Sequence, residues 1–107
     1  MKLLLLLSLI ETTAHADLSQ RDVDRMAVAI FRAEGGYSAK YLYGVKSVPH
    51  RTESEARRIC ENSVRNNYAR WVESRLTNNF IPFMAKRYCP LDQTNWAKNV
   101  KYFYSKK

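Results

Sequence analysis

The stretch SQRDVDRMAVAIFRAEGG runs from Ser19 to Gly36. Its first residues carry a helix start. Ser19 stands at the N-cap, Asp22 at the capping-box position three residues on, and Leu18 with Val23 forms a hydrophobic staple. Val23, Met26, Ala27, Ile30 and Phe31 then recur at helical spacing. Gly35 and Gly36 end the pattern, because glycine accepts the left-handed conformation that closes a helix. Glu34 lies four residues after Ile30, eight after Met26 and eleven after Val23, so it shares their apolar side. Burial and the negative end of the helix dipole both disfavour an anion at that place. A carboxylic acid that keeps its proton can give it to a leaving oxygen. The plainer alternative is a glutamate that curls into solvent or pairs with Arg32 or Lys40.

Outward from this helix the chain stays helical in pattern. Residues 37–51 have no helical period and read as a loop or a very short strand pair. Thr52 caps a second helix, with Glu55 three residues on, and Ala56, Ile59, Cys60, Ser63, Val64, Asn67, Tyr68 and Trp71 form its inner face. Thr77, Asn78 and Asn79 break the pattern. Phe80, Phe83, Met84, Arg87 and Tyr88 mark a third helix, with Pro82 tolerated in its first turn. Cys89 and Pro90 stop it. A last helix opens at about Thr94 and carries Trp96, Val100, Phe103 and Tyr104. The expected class is all-α, with four helices and little or no sheet.

Before Ser19 stands MKLLLLLSLIETTAHAD. One lysine, an apolar run from Leu3 to Ile10 and small residues at Ala14 and Ala16 have the layout of a secretory signal peptide, residues 1–16, cleaved before Asp17. The run is far short of the roughly 20 residues that span a bilayer, so no stable membrane span is expected. The expected location is secreted or periplasmic, and residues 17–107 form one small domain. The 107-residue chain has a net charge of +8, and losing Lys2 with Glu11 leaves that balance unchanged. A domain this basic favours anionic partners such as wall polymers. Its arginines are spread along helices with acids between them, so nucleic acid is not the expected partner. Cys60 and Cys89 in an oxidising compartment read as one disulfide, the alternative being two buried free thiols. Two cysteines without a His pair make no zinc site, and no cofactor or metal is called for.

Three short motifs carry a resemblance. AIFRAEGGYS (29–38), YLYGVKS (41–47) and RYCPLDQTNWAKNVKYF (87–103) occur in this order. Together they resemble the lysozyme-like superfamily of peptidoglycan-cleaving enzymes, in particular bacterial glucosaminidases and soluble lytic transglycosylases. In those families a catalytic glutamate ends a helix and precedes a small residue and an aromatic. The glucosaminidases then carry an Asn-Leu-Phe-Gly-Ile-Lys segment and, later, a Tyr-Ala-Thr-Asp-Pro segment followed by an aromatic. The resemblance implies a lysozyme-like catalytic domain over residues 17–107. It implies Glu34 and Tyr88 as catalytic residues and peptidoglycan glycan strands as partner. Tyr37, Tyr41, Tyr43 and Lys46 are the expected substrate-binding residues.

The chain departs from the families in two places. Only residues 47–52 stand where they insert a small β-lobe holding a second carboxylate, and a Gly-Leu-Met-Gln stretch is absent. Hydrolysis of a glycoside ordinarily uses two carboxylates. Glu53, Glu55, Glu61 and Glu73 are the other candidates, and the first two suit a helix N-terminus better than catalysis. A lytic transglycosylase, by resemblance, needs one glutamate only, which fits this chain better than a muramidase or glucosaminidase. The rival expectation is a cationic module of the same fold that binds glycan or wall polymer without cutting it.

Overall fold

The computed structural model describes residues 18–46, 52–74 and 79–106. Among these residues four α-helices follow one another: α1 (Gln20–Ala33), α2 (Glu53–Ser74), α3 (Phe80–Tyr88) and α4 (Gln93–Ser105). No strand occurs among the described residues. The described part of the segment after α1, expected as loop or strand pair, carries two 3₁₀ turns, Gly36–Ser38 and Leu42–Gly44, and residues 47–51 lie outside the described residues. The signal-peptide segment 1–16, with its cleavage point, and the break at Thr77 and Asn78 lie outside the described residues.

Each helix begins where its local chemistry permits. The Ser19 hydroxyl accepts from the Asp22 N–H at 3.1 Å. The Thr52 hydroxyl accepts from the Glu55 N–H at 3.1 Å, and Glu55 Oε1 accepts from the Thr52 N–H at 3.0 Å. This is a complete capping box, which satisfies two donors that a helix start would otherwise leave open. Asn79 precedes α3, and Pro82 falls in the first turn, where no intrahelical N–H is needed. Asp92 precedes α4, which opens at Gln93, one residue before the expected Thr94.

Helix α1 is the centre of the globule. It packs against both α2 and α4, and α3 closes the remaining side against the same two helices. Val23, Ala27 and Ile30 of α1 are fully buried with Ala56, Cys60 and Val64 of α2, Met84 of α3 and Val100 of α4. Removing such a side chain from water is worth about 1.5–3 kcal/mol for the larger ones. Arg25 ties α1 to the end of α4. Its guanidinium donates to the Tyr104 carbonyl at 2.6 Å and lies 4.2 Å from the Tyr104 ring centre. That satisfies a carbonyl a helix end leaves open.

The expected disulfide is not formed; Cys60 and Cys89 are both free thiols. The reason is where their side chains are used. Cys60 is wholly buried on the inner face of α2, where its thiol meets the Tyr88 phenol. Burial pushes that thiol up to about 12. Cys89 caps α3 and is only half-buried.

Candidate active site

Glu34 is the C-cap of α1. Its backbone keeps helical angles (φ −86°, ψ 0°) and its N–H donates to the Ile30 carbonyl at 2.9 Å. Gly35 then turns the chain away with φ 106°, which a side chain would resist. The glutamate is thereby left half-buried at the end of the apolar stripe of Val23, Met26 and Ile30. It makes no ion pair with Arg32 or Lys40.

Two distant segments hold its carboxylate. From α4 the Trp96 indole N–H donates to Oε2 at 3.0 Å. Against the other side lies Gly44. A Cβ placed there would fall 2.5 Å from Oε2, 2.6 Å from Cδ and 3.0 Å from Oε1. The carboxylate therefore sits flat on bare backbone. Oε1 has no hydrogen-bond partner among the described residues.

The turn that brings Gly44 there is strained. Val45 N–H donates to the Leu42 carbonyl at 3.1 Å, and both residues between have positive φ: 58° at Tyr43 and 69° at Gly44. This is the pattern of a type I′ turn, which glycine tolerates and tyrosine rarely adopts. Two features hold Tyr43 in it. Its ring is buried against Phe31, with centroids 4.9 Å apart. Its carbonyl accepts a hydrogen bond from the Tyr88 phenol. The Tyr88 ring in turn packs on Trp96 at 5.1 Å. Glu34, Trp96, Tyr88 and the Tyr43–Gly44 turn thus form one closed ring of contacts.

An open groove of about 400 Å³ runs over this ring, lined by Glu34, Tyr88, Tyr41, Lys40, Lys46 and the segment Cys89–Leu91, among others. Leu91 is 99% exposed at its rim. Lys40 stands 5.5 Å from the Tyr41 ring centre. Glu34 is the one carboxylate lining the groove among the described residues. Burial raises the Tyr88 phenol well above the ordinary tyrosine range, and neighbouring Cys60 and Glu34 push the same way. It is a neutral hydrogen-bond donor at working pH and not a base.

Four of the six residues singled out from sequence meet in the groove: Glu34, Tyr88, Tyr41 and Lys46. The other two do not. Tyr43 is 2% exposed, so its ring offers no surface to a ligand, and its part is played by its carbonyl. Tyr37 is exposed outside the groove, edge-on to Phe31 at 4.9 Å, and its phenol donates to Glu53 Oε2 at 3.0 Å. The other carboxylates are engaged or remote. Glu53 meets Tyr37, Glu55 completes its cap, and Glu61 pairs with Arg57 at 2.7 Å. Glu73 lies near the far end of α2, outside the groove.

Reading by sequence missed Trp96 as the partner of Glu34, and Gly44 as the floor beneath it. The only available signal for Gly44 was its place in the YLYGVKS segment. A larger concavity, about 930 Å³, lies elsewhere. It is an apolar trough beside Tyr68, Trp71 and Phe80, whose only carboxylate, Asp22, stands in the first turn of α1. That makes it a poorer setting for acid–base chemistry, despite its size. No group of three or more His, Cys, Asp or Glu side chains able to hold a metal occurs among the described residues. Nor is any described helix long and apolar enough to cross a membrane. No protein-family model, curated protein or solved structure matches the chain.

Proposed function

We propose that this chain is an enzyme that cuts the glycan strand of peptidoglycan, of lytic transglycosylase type, with Glu34 as its general acid and base. One observation carries the reading. Among the described residues, an open groove holds a single carboxylate, Glu34, with one oxygen bonded by Trp96 and the other without a partner. The Trp96 bond fixes which oxygen is committed, so Oε1 is the atom that bears the proton. Oε1–H protonates the glycosidic oxygen as the bond breaks. The same oxygen then takes the proton of the sugar's own 6-hydroxyl as that oxygen closes on the anomeric carbon. The products are a free hydroxyl end and an anhydro end. No water need be positioned, so a second carboxylate is not required; the nucleophile is already held by the substrate.

The supporting residues follow from their contacts. Tyr88 keeps the Tyr43–Gly44 turn in its strained form and so keeps the floor under the carboxylate. Tyr41 offers a ring face to a sugar, and Lys40 and Lys46 make the groove attractive to an anionic polymer. Such a polymer is met outside the cytoplasm, in keeping with a secreted or periplasmic domain.

The test is digestion of purified peptidoglycan with mass analysis of the fragments. Anhydro ends are expected from the parent chain. Glu34→Gln keeps the shape and the Trp96 bond but cannot cycle a proton. Its cleavage rate should fall by roughly 10²–10⁴-fold, the usual cost of losing a general acid or base. Reducing ends in place of anhydro ends would make the enzyme a hydrolase. An inactive parent that still binds the wall would make the domain a binding module.

A further inference from the structure

A second groove of about 410 Å³ meets the first at Gly44 and Tyr88, which line both. Its far wall is polar in an unusual way. Asn62, Asn66 and Arg70 follow one another on α2 at four-residue spacing, with Ser63 and Asn67 beside them, and Arg87 faces in from α3. Asparagine is a weak helix former, and three on one face cost the helix stability without giving it an apolar surface to bury.

Asn67 is the telling residue. It is 3% exposed. Its Nδ2 donates to the Ser63 carbonyl at 2.8 Å. That carbonyl can only accept, so the orientation of the amide is settled. Oδ1 is then left as a buried acceptor with no partner among the described residues. Buried acceptors are seldom left so. At the rim, Arg70 and Arg87 are exposed and form no ion pair among the described residues. No carboxylate lines this groove among the described residues.

A ligand that suits it brings an N–H or O–H donor for Asn67 Oδ1 and a carboxylate for the two guanidinium groups. It also carries amides to match Asn62 and Asn66. We infer that this groove binds the peptide stem of the same glycan strand: an amide-rich acidic branch, attached to a sugar that lies at Glu34. The inference rests on the first groove holding a glycan strand. A strand in one groove and its branch in the other would both touch Gly44 and Tyr88, where the two meet.

Binding in the full chain carrying Glu34→Gln tests this without cleavage. Two soluble probes are titrated by calorimetry: a glycan fragment with its peptide stems, and the same fragment with the stems removed. The stem-bearing fragment should bind roughly tenfold to a hundredfold more tightly, as for hydrogen bonds to charged groups. Adding Arg70→Gln and Arg87→Gln, together or singly should the pair misfold, should close that gap. Asn67→Leu, which removes the acceptor that the incoming donor would meet, should narrow it too. Equal affinity for the two fragments overturns the inference, as does a preference that survives the arginine changes. Failure of the enzymatic reading looks different: the unsubstituted chain would keep the stem preference yet leave the wall uncut.

Discussion

Gly44→Ala is the sharpest probe of how Glu34 is held. The added methyl would stand 2.5 Å from Oε2 and 2.6 Å from Cδ, well inside contact distance. The carboxylate must move, and moving it breaks the 3.0 Å bond from Trp96. Loss of a hydrogen bond costs about 0.5–1.5 kcal/mol. A residue with a side chain at φ 69° costs a further 1–2 kcal/mol or so. The sum is about 1.5–3.5 kcal/mol, a sizeable part of the stability of a small domain. The two contributions can be separated. In a Glu34→Ala background there is no carboxylate to displace, so Gly44→Ala should cost only the backbone part. A double-mutant cycle by urea unfolding, followed through tryptophan fluorescence, should therefore return a coupling of about 1 kcal/mol. Costs that simply add would mean that the carboxylate does not lie on Gly44, and the account of the groove floor would fall with it.

Tyr88→Phe keeps the ring on Trp96 but removes the bond to the Tyr43 carbonyl. It should lower stability by about 1–2 kcal/mol, read as a lower urea midpoint at unchanged slope. An unchanged midpoint would show that the turn does not depend on the phenol. The native protein should expose one thiol to a water-soluble disulfide reagent at neutral pH: Cys89 reacts, and buried Cys60 waits for unfolding. A chain with no titratable thiol after denaturation would be disulfide-bonded instead. Alkaline unfolding should report Cys60 directly. Burial lifts its folded pKa to about 12 from the ordinary thiol value of 9.0, so between these the folded state holds a proton that the unfolded state has lost. Stability is then full below pH 9 and falls by about 1.4 kcal/mol per pH unit from there towards pH 12. Cys60→Ala should show a shallower decline, and an identical slope would refute the assignment.

Local chemistry made much of the fold legible. The cap at Ser19, the box at Thr52 and Glu55, and the tolerated Pro82 are interactions within one turn, so residue order alone reveals them. The apolar periods of α1 and α2 named Val23, Met26, Ile30, Ala56, Cys60 and Val64 as core, and all six are buried. The period misled on α3, where Arg87 is exposed and Ala85 takes the buried place. An arginine at helical spacing reads as part of a face when its charge in fact keeps it at the rim.

The end of α1 shows where sequence stopped. That Glu34 follows the apolar stripe and precedes a glycine turn was determined by the order of residues, because both facts are local. What the carboxylate touches was decided by the tertiary structure. Trp96 lies 62 positions away, and the hydrogen bond exists only because α4 packs on α1. Tyr41 and Tyr43 are two residues apart and alike in chemistry, yet one lines the groove and the other is buried. Two successive positive φ angles reverse the chain after Leu42, and nothing in a tyrosine announces such an angle. The cysteines are the same case. Two thiols in one chain suggest a bond, but whether they meet depends on which faces of α2 and α3 the packing turns inward. Here it turns Cys60 into the core against Tyr88 and leaves Cys89 at the groove.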